Sequence, residues 1–113
     1  MKAKMEHLIV YGTLQPGHAN AHLLEDIEGS WSRGYVKGHL HPTGWGYTQG
    51  YPAIKLDEHG EKIPAHCLSS ADLHLHWDRL DSFEGSEYRR TETSFYADNG
   101  DVIFGYIYQL NPG

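Results

Sequence analysis

The chain has 113 residues, of which nine are basic and fifteen acidic, and a net charge of −6 with histidines neutral. This length predicts one compact core, and no cluster of basic residues is present to neutralise the phosphates of a nucleic acid. With a single cysteine, no signal-peptide pattern and no run of about twenty apolar residues to span a bilayer, we expect a cytoplasmic protein that binds neither nucleic acid nor membrane.

The predicted elements are mostly short β-strands, because thirteen glycines and five prolines supply turns and eight tyrosines suit a half-buried sheet. Residues 7–11 form an unbroken apolar run, which predicts a strand buried on both faces. A short helix over 20–26, ending at Gly29, follows it. Strands are then predicted over 31–40 and 51–54.

The second half of the chain continues this pattern. A strand is predicted over 63–68, and Pro64 confines it to a sheet edge or a bulge because proline has no N–H to donate. The last two strands, over 88–96 and 102–110, are joined by a turn at residues 98–100 and form an antiparallel hairpin. Together the elements predict a single β-rich domain over residues 1–113.

The predicted helix over 70–83, capped by Ser69 and Ser70, has an acid on its apolar face. At about 100° per residue, one face is formed by Leu73, Trp77, Leu80 and Glu84. Gly85 follows Glu84 and is typical of a helix end, so the carboxylate lies at the unfavourable end of the helix dipole and beside apolar neighbours. Both effects raise a carboxyl pKa and suit a general acid or base. The alternative is a solvated acid at a frayed helix end.

The neighbouring acids Asp78 and Asp81 fall off this apolar face, so we expect both to face solvent. The nine histidines provide no set of three ligands with metal-binding spacing, and we expect no metal or other cofactor. Cys67 is expected to be a small core residue and not a nucleophile.

A loop that exposes backbone amides follows the first strand in the segment LIVYGTLQPG. Backbone N–H groups at the end of a strand can converge on an anion, and Gly12 allows a ligand to approach closely. The loop is therefore a candidate carboxylate-binding site. A plain strand-to-turn junction is the alternative.

Four segments, YGTLQPG, GYPAI, LDSFEGSEYRR and VIFGYIY, resemble in this order the gamma-glutamylcyclotransferase-like family over nearly the whole chain. The resemblance implies an α+β fold, a small, partly open mixed β-barrel with short flanking helices. It implies that the loop residues Tyr11, Gly12, Thr13 and Leu14 bind the amino-acid end of a γ-glutamyl group. It also implies that Glu84 is the acid/base, that Tyr88 contributes to substrate binding, and that no cofactor takes part.

The reaction implied by the resemblance is an intramolecular attack of the substrate's α-amine on its γ-carbonyl, which releases 5-oxoproline and a free amine. The loop over residues 41–50 would contact the leaving amine. The segment EKIPAHCLSS departs from the family pattern because it has neither the second glycine nor the acid, which affects one predicted pocket wall. The alternative function is a non-catalytic module on the same fold that binds a small carboxylate or a partner.

Overall fold

The computed structural model describes residues 4–12, 14–41 and 53–111. The strands in this part of the chain are β1 (Glu6–Val10), β2 (Ser30–His41), β3 (Ala53–Leu56), β4 (Glu61–Ser70), β5 (Tyr88–Ala97) and β6 (Val102–Leu110). Within the same described ranges, the helices are one α-helix, α1 (Trp77–Glu84), and two 3-10 helices, Ala21–Leu23 and Leu73–Leu75.

Five strands form a closed mixed barrel in the order β2, β4, β1, β6, β5, with β5 pairing again with β2. β1 lies between β4, to which it is antiparallel, and β6, to which it is parallel. All the other neighbouring strands of the ring are antiparallel. β3 pairs with the last part of β2 as a sixth strand outside the ring. This architecture confirms the predicted small mixed β-barrel with short flanking helices, except that the ring is closed by the pairing of β2 with β5 and is not partly open.

The barrel closes where Gly34 of β2 pairs with Ala97 of β5. A Cβ atom at position 34 would overlap the carbonyl oxygen of Tyr96 and lie 2.8 Å from the Cα of Ala97, so this approach requires glycine. The next pair, Tyr35 and Tyr96, stacks its rings with centroids 5.1 Å apart. Close backbone approach and ring stacking thus act together at the closure.

All five ring strands contribute side chains to one apolar cluster, which fills the barrel interior. It contains Ile9, Val36, Ile54, Ile63, Ala65, Cys67, Phe95 and Ile107. A second cluster lies outside the ring, where the helices and the loop after β1 cover β1, β4 and β6. It contains Leu8, Val10, Leu14, Leu24, Ile27, Leu68, Leu73, Trp77, Leu80 and Tyr108. Alternate residues of β1 enter the two clusters, so this strand is buried on both faces as its unbroken apolar run predicts.

The predicted strand over 63–68 is longer in the structure and lies between two neighbours. β4 pairs with β2 through residues 61–69, but it pairs with β1 only from His66 to Ser70. Pro64 therefore lies in the part of β4 that is beyond the end of β1, where the missing N–H breaks no ladder bond with that strand. Of the predicted strand over 51–54, the described part begins at Ala53 and continues to Leu56.

The helix predicted over 70–83 is wrong at its start, because β4 continues to Ser70. Ser69 pairs with β1 and β2, and its hydroxyl hydrogen-bonds to His7 at 2.7 Å, so it caps no helix. The Ser70 hydroxyl donates to the Glu28 carbonyl and accepts the N–H of Asp72 in a turn. Sheet pairing therefore overrides the local capping pattern. The helix predicted over 20–26 is reduced to the 3-10 turn Ala21–Leu23.

Candidate functional site at the barrel rim

Glu84 is the last residue of α1, and its side chain is only 9 % exposed. The other predicted members of this face, Leu73, Trp77 and Leu80, are also buried. Gly85 ends the helix with φ 79°, and its N–H donates to the Asp81 carbonyl at 3.0 Å. The chain thus places a buried carboxylate at the carboxyl end of a helix dipole.

Tyr11 follows β1 and packs its ring against the barrel interior. Its hydroxyl donates to the backbone carbonyl of Tyr108 at 2.8 Å and accepts the N–H of Ile54 at 3.0 Å. Tyr11 therefore connects the end of β1 to β6 on one side and to β3 on the other. Its side chain has a scaffold role whether or not it also touches a ligand.

The phenols of Tyr11 and Tyr108 remain protonated at neutral pH. Burial raises the pKa of Tyr11 far above its ordinary value, and the charges of Tyr88 and Glu84 raise it further. Burial also raises the pKa of Tyr108, with further contributions from its hydrogen bond to Asp81 and from Glu84. Neither phenol can act as a base, so both serve as hydrogen-bond donors.

The loop after β1 is held by Gln15, whose side chain is 8 % exposed. The Gly12 carbonyl accepts from the Gln15 backbone N–H at 3.2 Å and from its side-chain amide at 3.3 Å. The side-chain oxygen of the same residue, Gln15 Oε1, lies 2.8 Å from the Nδ1 of His66 on β4. Leu14 is buried in the outer cluster, so only its backbone remains to face a ligand. Thr13 and the predicted loop residues 42–50 lie outside the described part of the chain.

Tyr88 begins β5 and packs half-buried against the outer cluster. Its N–H donates to the Gly85 carbonyl at 3.2 Å, so Tyr88 lies directly after the end of the helix that carries Glu84. Tyr11 is linked to the same helix through Tyr108, whose carbonyl accepts the Tyr11 hydroxyl and whose own hydroxyl donates to Asp81. Of the residues that the sequence singled out, the structure thus brings Tyr11, Glu84 and Tyr88 to one rim of the barrel, where β1 ends.

Asp81, which was predicted to face solvent, is 43 % exposed but is also held by two side chains. Its Oδ1 accepts the Tyr108 hydroxyl at 2.6 Å and lies 3.3 Å from the Nε of Arg90. Neither the bond between Tyr108 and Asp81 nor the contact between Gln15 and His66 was predicted from the sequence. The partners in these two pairs are 27 and 51 residues apart in the chain, and no short motif links them.

Cys67 is buried in the barrel interior, as predicted, and burial raises the pKa of its thiol to about 11. A neutral buried thiol is not a nucleophile. Across residues 4–12, 14–41 and 53–111, no three side chains from His, Cys, Asp and Glu form a group that could hold a metal ion. In the same ranges, no helix has the length and apolar character needed to cross a membrane.

Solved structures similar to this chain share its fold. YkqA from Bacillus subtilis is 26 % identical with a TM-score of 0.71, and the match covers 96 % of this chain but only 36 % of YkqA. An AIG2-like protein from mouse is 24 % identical with a TM-score of 0.74, covering 96 % of this chain and 79 % of the mouse protein. A gamma-glutamyl cyclotransferase structure is 13 % identical with a TM-score of 0.62, and the match covers 96 % and 68 % of the two chains.

No match is found among the curated proteins. The family model described as gamma-glutamyl cyclotransferase, AIG2-like matches residues 8–113, which is nearly the whole sequence. The matched range includes every strand from the middle of β1 onward and all the residues that meet at the barrel rim. The chain therefore belongs to the gamma-glutamyl cyclotransferase, AIG2-like family.

Proposed function

We propose that this protein is a γ-glutamyl cyclotransferase that converts a γ-glutamyl amide into 5-oxoproline and a free amine. The observation that carries the proposal is the buried carboxylate of Glu84 at the end of α1, one turn after Asp81, which accepts the Tyr108 hydroxyl at 2.6 Å. Family membership supports the same reaction class. The proposed substrate is therefore a small molecule with a γ-glutamyl group.

In the proposed reaction, the Glu84 carboxylate removes a proton from the α-ammonium of the substrate. The freed amine attacks the γ-carbonyl carbon, a new C–N bond closes a five-membered ring, and the carbonyl becomes a tetrahedral oxyanion. Collapse of this intermediate breaks the original amide C–N bond, and Glu84 returns its proton to the departing nitrogen. After the attack the ring nitrogen carries two protons: it keeps one as the lactam N–H and passes the other to the released amine, which leaves as an ammonium.

The protein's main contribution is positioning, because nucleophile and electrophile belong to one molecule and need only the correct rotamer. We assign the binding of the amino-acid end of the substrate to the backbone of Gly12, Thr13 and Leu14, with Tyr11 and Tyr88 as flanking side chains. The Gln15 amide supports this assignment, because it fixes the Gly12 carbonyl within the turn.

The test is the release of 5-oxoproline from γ-glutamyl amino acids, γ-glutamyl-ε-lysine and glutathione by the purified protein. We expect Glu84→Gln to lower kcat by about 100-fold or more on whichever substrate reacts, since general acid–base catalysis contributes about this much. Glu87→Gln is the matched control, because Glu87 is an exposed acid only three residues further along.

A folded Glu84→Gln protein with full activity would disprove the assignment of the acid/base. If the wild type turns over no substrate but is stabilised against heat by one of them in a Glu84-dependent way, the site is a binding module and the proposed reaction is wrong.

A further inference from the structure

Tyr108 contacts both halves of the proposed site from a single position on β6. Its backbone carbonyl accepts the hydroxyl of Tyr11 at 2.8 Å. Its side-chain hydroxyl donates to Asp81 Oδ1 at 2.6 Å. Asp81 lies on α1 one turn before Glu84. One residue therefore links the loop after β1 to the helix that carries the proposed acid/base.

The Asp81 end of this link is held by several groups. Arg90 places its Nε 3.3 Å from the same Oδ1, and its guanidinium lies 4.4 Å above the ring of Trp77 at the start of α1. The Asp81 carbonyl accepts the N–H of Gly85, which closes the helix directly after Glu84. Hydrogen bonds to a carboxylate are stronger than neutral ones, so this cluster fixes the last turn of α1 against β5 and β6.

We propose that Tyr108 is a positioning residue that fixes Glu84 relative to Tyr11, and its catalytic consequence rests on the function proposed above. Tyr108 acts through Asp81 and needs no contact with substrate. The hydroxyl holds the helix end while the carbonyl of the same residue holds Tyr11, so the two halves of the site share one fixed reference point. A displacement of about 1 Å between reacting groups can cost about 100-fold in rate, which makes this link important for turnover.

The test compares Tyr108→Phe with Tyr106→Phe. Tyr108→Phe keeps the ring and the backbone carbonyl and removes only the oxygen that contacts Asp81. Tyr106 lies two residues earlier on β6, and its ring packs edge-on to that of Trp77 with centroids 5.3 Å apart. Tyr106→Phe is therefore a matched control that also removes one hydroxyl near α1. For Tyr108→Phe we expect kcat to fall about tenfold, KM to change less than about twofold, and the amide hydrogen of Gly85 to exchange faster. Tyr106→Phe should retain wild-type kcat and Gly85 exchange.

A double-mutant cycle with Asp81→Ala, which removes the acceptor of the Tyr108 hydroxyl, identifies the route of the effect. If Tyr108 acts through Asp81, Tyr108→Phe should lower kcat much less in the Asp81→Ala background than in the wild type. Full additivity would overturn the proposal, as would unchanged kcat and Gly85 exchange in Tyr108→Phe, or equal losses in the two tyrosine variants. If the wild type releases no 5-oxoproline, the proposed function fails, and Gly85 exchange alone decides whether Tyr108 holds the end of α1.

Discussion

Replacing Tyr11 by phenylalanine removes one oxygen atom from the rim of the barrel and tests its scaffold role. The ring of the variant keeps its packing against the barrel interior, so the change isolates the hydroxyl. Two hydrogen bonds are lost, the one donated to the Tyr108 carbonyl at 2.8 Å and the one accepted from the Ile54 N–H at 3.0 Å.

The expected loss of stability comes from the two backbone groups that the Tyr11 hydroxyl no longer contacts. Ile54 is fully buried, so its N–H has no water to replace the phenol oxygen, and Tyr108 is only 5 % exposed. A buried polar group left without a partner costs about 1–3 kcal/mol, and a carbonyl can keep a second partner while an N–H cannot. We therefore expect Tyr11→Phe to lower the free energy of unfolding by about 2–4 kcal/mol, with a fall in Tm of roughly 10 °C.

Urea unfolding followed by fluorescence and circular dichroism measures this loss, with Tyr35→Phe as the control. The ring of Tyr35 stacks on Tyr96 at the surface of the barrel closure, and its loss of a hydroxyl should change stability by less than about 0.5 kcal/mol. If Tyr11→Phe is as stable as the control, the hydroxyl does not hold β3 and β6 together and the reasoning is wrong.

Three further predictions concern the barrel itself. Gly34→Ala should destabilise the protein by about 1–3 kcal/mol or prevent folding, because the new methyl group overlaps the Tyr96 carbonyl; a wild-type Tm would contradict the described closure. Burial lowers the pKa of His7, whose ring hydrogen-bonds to Ser69, so the folded state favours the neutral imidazole. The stability that His7 contributes is fully present above its ordinary pKa of about 6.5 and is lost as pH falls through the lowered pKa. His7→Gln should therefore reduce the fall in Tm between pH 7.5 and 5, and an unchanged slope would exclude His7 as a cause. Cys67, with its pKa of about 11, should react with a thiol reagent only after unfolding, whereas rapid reaction of the native protein would show that the barrel interior is accessible.

Local patterns predicted most of the strands because the relevant physics is local. The apolar run of β1 indicated burial on both faces, and Gly100, which has φ 97°, marks the turn between β5 and β6. The face that ends in Glu84 was also readable, since helical spacing alone determines which side chains share it. The start of that helix could not be read from the sequence, because Ser69 and Ser70 belong to β4 and pair there with strands that are far away in the sequence.

The sequence by itself thus determined the barrel class, the family resemblance and a single acid on an apolar helix face. Only the tertiary structure decided what surrounds that acid. The contacts of Tyr108 with Tyr11 and Asp81 join residues that are 97 and 27 positions apart, and such contacts exist only after the barrel has closed. Asp81, which helical spacing alone assigns to solvent, is held by Tyr108 and Arg90, because β5 and β6 cover a helix face whose neighbours no local pattern can specify.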